Sequence, residues 1–290
     1  MKKTKISEII FNTVNFLIMA FMIFVCIYPL WYVLIASFSG ASAVTEGRVL
    51  FWIEDFTLEA YKKTLATPYI GTSYLNTIFY SIVGTFMSLV FIVLGAYPLS
   101  RKQLHGKTFL AFFIAFTMWF SGGMMPTYVI YRTLHLLDSR LGVLFNGMVA
   151  TMNVIIMRTA FQGVPDSLEE SMKLDGANDI QVLIHTYLPL TVPTLMTLAL
   201  FCFVGRWNEY LWPSMLLKTE TKIPLQVLLR KLVVEMTGLY ENLEGIDITV
   251  MSKETVVYST MVIAVVPMLV IYPFIQKFFT KGVMVGAIKG

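Results

Sequence analysis

The sequence predicts an all-α polytopic membrane bundle: six transmembrane helices, with a short cytoplasmic helix between the fourth and the fifth. Three observations carry this fold class. Of 290 residues, 57% are hydrophobic and 14% charged, a balance rarely met in soluble domains. Six stretches stay apolar for about the 20 residues a helix needs to cross the hydrocarbon core at ~1.5 Å per residue. None alternates polar with apolar residues as a barrel strand does. Backbone groups in lipid have no water to bond, so a continuously apolar span must close its own hydrogen bonds as a helix.

The first span, Ile9 to Phe38, follows Met1-Lys2-Lys3-Thr4-Lys5. It is too long for a cleaved signal peptide, whose apolar region runs about 7–15 residues, despite Ala41-Ser42-Ala43 just beyond it. The second runs Thr77 to Leu99, the third Thr108 to Met125 and the fourth Leu141 to Thr159. The fifth, Thr191 to Leu217, and the sixth, Val256 to Lys277, complete the set. Pro29 and Pro267 read as kinks that neighbouring helices accommodate, and Gly84 and Gly95 as points of close helix packing. Residues 1–70 then form the first span and an extracellular segment, 71–277 a core of five helices, and 278–290 a cytoplasmic tail.

Basic residues stay preferentially on the cytoplasmic side, which orients the bundle. With the N-terminus inside, residues 1–8, 100–107, 158–189 and 277–290 hold 11 Lys and Arg in 62 residues, against 10 in 101 on the other face. Both termini are therefore expected in the cytoplasm of a multi-pass protein of the cell membrane. The net charge of +4 is what membrane-flanking cations produce and requires no nucleic acid.

Catalytic and metal chemistry find no footing. Gly106-Lys107-Thr108 resembles the end of a phosphate loop, but the glycine required five residues earlier is Arg101. Arg101, Lys102 and Lys107 read instead as the basic turn between the second and third helices. Cys26 and Cys202 lie in different spans and form no redox or metal motif. His105, His135 and His185 lack ligand spacing, so no metal site is expected. No nucleophile, base and orienter set is evident; energised work would draw on a partner.

The stretch EESMKLDGANDIQVLIHTYLPLTVP, Glu169 to Pro193, is the exception in a charge-poor chain. Ser167 and Glu170 have capping-box spacing, and acidic residues suit the positive end of a helix. Gly176 can take the left-handed conformation that ends a helix. The expected helix, Leu168 to Asp175, is only about two turns long and must lean on something to persist. Asn178 or Asp179 can cap a second helix running through Leu188-Pro189-Leu190 into the fifth span.

This stretch resembles the cytoplasmic signature of ABC-type importer permeases. The matches are Glu170, Asp175-Gly176-Ala177 and Leu188-Pro189-Leu190, in the family's order and spacing, with Ser171 and Met172 where the family has alanines. Phe56 to Tyr61, Ala96 to Arg101, Phe120 to Thr127, Trp207 to Pro213 and Lys281 to Gly290 are similar to segments of carbohydrate-importing permeases, the oligosaccharide branch in particular. The resemblance implies a coupling helix that fits a cleft on a cytoplasmic ATPase, formed by Glu170, Ser171, Met172, Asp175, Gly176, Ala177, Leu188 and Pro189. It implies tail contacts to that ATPase through Lys281, Gly282 and Gly286. It further implies no bound cofactor, ATP and Mg being held by two ATPase copies, with a second homologous permease completing a heterodimer and an extracytoplasmic sugar-binding protein delivering the solute.

Arg206, Trp207, Asn208 and Glu209 interrupt the fifth span, where ionisable groups need a partner or a wet cavity. Arg206 and Glu209, three apart, can neutralise each other. Alternatively Trp207, Asn208 and Glu209 form a sugar-contacting wall of the translocation pathway. The outer stretch from Ser214 to Glu254 is either a docking surface or a passive cap. Three function classes stand beside one another: an ABC importer subunit, for an oligosaccharide or for a non-sugar solute; an ion-coupled secondary transporter; and a membrane scaffold or sensor.

Overall fold

Thirty-two residues without a break, lacking internal glycine and rich in leucine, isoleucine and phenylalanine, form α1 (Ile6–Ser37). The computed structural model describes residues 6–238 and 255–270, and it divides into two units. The first comprises Met1–Pro68 with Lys231–Val266. After α1 come α2 (Ala41–Thr45) and α3 (Glu59–Ala66). Only 6% of the apolar window of α1 is buried, so the described residues of its own unit cover little of this helix.

Near its end α1 is tied to the segment that follows. Trp31 Nε1 donates to the Phe51 carbonyl at 2.9 Å, and Tyr28 Oη donates to that of Leu50 at 3.3 Å. Gly40 N donates to Glu54 O and Thr57 N to Phe38 O, each at 2.9 Å. Ile35, Ala36, Ala43, Val44 and Val49 make the small core of this unit, with Tyr32 and Tyr258 against it. Helix Thr255–Val270 joins α3 through hydroxyls, Thr64 Oγ1 lying 2.6 Å from Ser259 Oγ.

The second unit, Tyr69–Arg230 with Pro267–Gly290, is organised around α4 (Ile70–Ser100). Ser73, Thr77, Ser81, Gly84, Ser88, Ile92 and Ala96 recur every three or four residues and are all buried. Small residues at helical spacing let neighbouring backbones approach. After α5 (Lys107–Trp119), α6 (Met124–Thr133) and α7 (Arg140–Phe145), α8 (Thr151–Gln162) packs along α4. The charged stretch before the fifth expected span forms α9 (Asp166–Leu174), α10 (Asp179–Val182), a π-helical turn over Leu183–Tyr187 and α11 (Leu188–Leu190). Next, α12 (Val192–Asn208) lies against α4 as its second long neighbour, followed by α13 (Leu211–Leu216) and α14 (Leu225–Gly238). Ile92, Ala96, Tyr97, Met157, Phe161, Tyr187 and Leu198 form the main core.

Two helices, Ile10–Ser37 and Ile70–Ser100, are long and apolar enough to cross a membrane unaided, and two bent pairs raise the number to four. Six single spans are therefore not what the described residues show. The third expected span ends at Trp119 and resumes as α6 at 110°, because Ser121-Gly122-Gly123 breaks it and Gly123 sits at φ +81°. The fourth is split between α7 and α8 where Gly147 takes φ +58°. The fifth stops at Asn208: Pro213 has no N–H for the Glu209 carbonyl, so a continuous helix would lose that bond. Its approach also bends, by 83° at Thr191, between Pro189 and Pro193. Of the sixth, residues 255–270 are helical, and the rest lies outside the described residues.

Candidate functional site

The charged stretch begins earlier than capping logic predicts. Helix α9 opens at Asp166 behind Pro165, which is extended (φ −61°, ψ 133°) and occupies the cap position, so Ser167 falls inside the first turn and does not cap the helix. Asp166 turns instead to Lys102; that hydrogen bond holds the aspartate below the ordinary carboxylate range and raises the lysine. The other expected devices are present. Gly176 stands at φ +83°, and Asn178 and Gln181 close a reciprocal capping box at 2.8 and 2.9 Å.

Exposure sorts the coupling residues into two faces. Glu170, Ser171, Asp175 and Pro189 are exposed, and Leu174 next to them is 89% exposed. Met172, Ala177 and Leu188 are half-buried and pack on the bundle core. The large side chain at Met172, where the resembling family has alanine, therefore fills space inside this chain rather than on the outer face. Residues 167, 170, 171 and 174, three and four apart, share the outward face of α9.

The residue that fastens α9 to the bundle is Glu169, for which the sequence leaves open solvation or pairing with basic groups; the structure shows the pairing. It is 4% exposed. Its carboxylate accepts from Arg101 Nη2, from Tyr187 Oη at 3.1 Å and from Lys173 Nζ at 2.9 Å. The Arg101 guanidinium lies over the rings of Tyr187 and Tyr97, 4.6 and 5.6 Å from their centres. Arg101 closes the C-terminus of α4, so one ion pair joins the helix at the core of the unit to the helix on its surface. Lys173, four residues after Glu169, was the one legible half of this cluster. The 68 positions between Arg101 and Glu169 hid the other half.

At the far end of α12, Arg206 is 8% exposed and reaches the C-terminal carbonyls of α7: Nη1 donates to Val143 O at 2.9 Å and Nη2 to Leu144 O at 3.0 Å. Those carbonyls have no partner within a helix that ends at Phe145. Glu209 lies 3.4 Å from Arg206 Nη1, and Asn146 Nδ2 donates to its other oxygen at 2.6 Å. Gly84 makes room for the guanidinium, since a Cβ there would stand 3.1 Å from Arg206 Nε. Trp207 is 2% exposed, between Tyr74 and Phe203 with ring centres 6.0 Å away, and presents no free ring face. Asn208 is exposed and donates to Val204 O at 3.0 Å. Ser88, Asn146, Asn153, Arg206 and Glu209 give a cavity of about 260 Å³ its polar groups. Lys281, Gly282 and Gly286 lie outside the described residues.

A third network closes the opposite end of α4. Asn76 Nδ2 donates to Thr221 O and Ile223 O at 2.8 and 3.1 Å, and Tyr80 Oη to Lys222 O at 2.8 Å. Asp138 accepts from Lys218 N, Thr219 N, Thr219 Oγ1 and Lys222 Nζ. The Thr219 bonds, chiefly, hold its carboxyl far below the ordinary range.

Residues 73–285 match the family of binding-protein-dependent transport system inner membrane components. The chain belongs to that family. It is a membrane transport subunit rather than an enzyme, and membership implies work with a substrate-binding protein and an ATPase. Over 267 residues it is 37% identical to the polygalacturonan/rhamnogalacturonan transport system permease protein YtcP of Bacillus subtilis, covering 92% of this chain and 93% of that one. It is 34% identical over its whole length to Protein LplC of the same organism, covering 98% of that protein. A solved bacterial ABC transporter involved in import of the acidic polysaccharide alginate matches with a TM-score of 0.87 at 40% identity, over 96% of this chain and 100% of that one.

Proposed function

We propose that this permease moves an acidic, uronate-bearing oligosaccharide through the cytoplasmic membrane by ATP-driven alternating access. The observation that carries the substrate class is the pairing of identity with name. The relatives named for alginate and polygalacturonan are 40% and 37% identical, whereas those named for arabino- and galactooligosaccharides in Bacillus subtilis are 25% and 27% identical. Both acidic polymers carry carboxylates.

The bundle crosses the membrane six times with both termini in the cytoplasm, α9 faces a cytoplasmic ATPase, and a binding protein delivers the sugar from outside. Two ATPase copies hold ATP and Mg; this chain holds neither. A second, non-identical permease subunit completes the pathway. Pockets that enclose small ligands run about 300–1,000 Å³, and the cavity here, at about 260 Å³, is one wall of such a space. Glu209 lines that wall; exposed Asn208 joins the pathway beside it, and buried Trp207 supports the turn they stand on. Glu170, Ser171, Asp175, Gly176 and Pro189 form the ATPase-facing surface with Leu174; Met172, Ala177 and Leu188 seat it, and Lys281, Gly282 and Gly286 add contacts from the tail.

The test is uptake into vesicles rebuilt with both permeases and the ATPase, with labelled oligogalacturonate or oligomannuronate offered on the binding protein. ATP-dependent uptake that survives collapse of ion gradients, and is not reproduced by neutral oligosaccharides of equal length, is expected. Uptake of neutral sugars alone removes the acidic substrate; loss of uptake with the gradients removes the ATP-driven mechanism.

A further inference from the structure

Three polar networks sit along one helix. Arg101 at the C-terminus of α4 holds Glu169 of α9. In the middle, Gly84 touches Arg206 and Ser88 lines the cavity. Toward the N-terminus, Asn76 and Tyr80 hold the carbonyls of Thr221, Lys222 and Ile223, and Thr77 Oγ1 accepts from Leu225 N at 2.7 Å. Between Asn76 and Arg101 the helix is unbroken, and at ~1.5 Å per residue those positions are about 38 Å apart.

We propose that α4 is the transmission rod of this permease: Arg101, Glu169 and Tyr187 are positioning residues that fix the ATPase-facing helix to it, and Asn76 and Tyr80 fix the segment 221–225 to its other end. The inference rests on the reading of α9 as the ATPase-facing helix. The attachments are of the kind that transmits force. Glu169 is buried and accepts three bonds, and the arginine it meets lies over two aromatic rings that touch each other, so the joint has one arrangement rather than a range. At the other end the α4 side chains bond backbone carbonyls, so the segment follows the helix whatever its own side chains are. Sliding or tilting α4 by a small amount moves α9, the Arg206 contact and segment 221–225 together. By reciprocity, whatever docks outside and shifts that segment alters the ATPase side by the same coupling.

The test is a double-mutant cycle in the full complex, with stimulation of ATP hydrolysis by loaded binding protein as the readout beside the unstimulated rate. Glu169→Gln keeps the shape and weakens the inner joint; Asn76→Ala removes the outer one. Each is expected to leave the unstimulated rate and the assembled complex in place and to lower stimulation roughly tenfold, within the usual range of coupling between sites. Sites this far apart with no shared partner normally act independently, which would make the double variant about a hundredfold worse. A single rod, once cut, cannot be cut again, so the double is expected to match the worse single.

Additive losses overturn the rod. Should either variant fail to assemble, the same cycle with Tyr187→Phe and Tyr80→Phe removes one hydroxyl at each end, and unchanged stimulation in both also overturns it. A control separates this from the reading of α9. If Glu170→Arg with Leu174→Asp keeps the ATPase bound and stimulated, that reading fails; if it releases the ATPase while the cycle is additive, only the rod fails.

Discussion

Replacing Arg206 by methionine keeps an unbranched apolar stem and removes the guanidinium with all its donors. Two carbonyls at the end of α7, Val143 and Leu144, lose their partners, and Glu209 keeps only Asn146. A buried acceptor left unmet costs about 1–3 kcal/mol, and breaking one side of a buried ion pair about 3–5 kcal/mol. These losses share one truncation and do not add, so about 4 kcal/mol is expected. At roughly 2–4 °C per kcal/mol for a chain of this order of size, the apparent melting temperature of the purified complex should drop by about 10 °C. Scanning fluorimetry in detergent measures it. Adding Glu209→Met should recover part of the loss, because the stranded carboxylate is gone. A single variant that melts within about 2 °C of the parent, or a double variant less stable than the single, would refute the assignment of Arg206 as the brace of the α7–α12 junction.

Gly84→Val places branched carbons where Arg206 Nε would lie 3.1 Å from the first of them; uptake is expected to fall at least tenfold with the complex still expressed, as a displaced guanidinium cannot reach both carbonyls. Glu209→Gln should lower uptake while leaving assembly with the ATPase intact, read by copurification and vesicle transport. Asp138, held below the ordinary carboxylate range, contributes its stabilisation above about pH 3.9 and loses it as pH falls further toward its lowered folded value. Hydrogen exchange at Lys218 and Thr219, corrected for intrinsic rate, should therefore accelerate between pH 5 and pH 3, and Asp138→Asn should remove most of that acid dependence.

The class of the fold was legible because lipid imposes a composition that no packing detail can disguise. What stayed hidden were the breaks. Gly123 and Gly147 are two glycines among 18, and nothing local says which of them will turn the chain and which will only admit a neighbour, as Gly84 does. The signature loop shows the same limit. Asn178 with Gln181 could be read because a capping box lies within four residues, while Ser167 misled because extended Pro165 takes the cap position two residues earlier. Glu169 and Glu170 are adjacent and chemically identical. Only the helix phase set by the fold sends one inward to Arg101 and leaves the other exposed.

Helix α1 differs from every other long element in how little of it this chain covers. Among the described residues, the exposed length from Val14 to Ile27 is constrained by oiliness and length rather than by the identity of any one side chain. Substitutions there among leucine, isoleucine, phenylalanine and methionine are then nearly silent for folding, and that length is free to drift, or to be tailored to a neighbouring subunit, without disturbing the small core at the end of the helix. The family match respects that division: it begins at residue 73, after α1 has ended, in the first turn of the helix that holds the rest together.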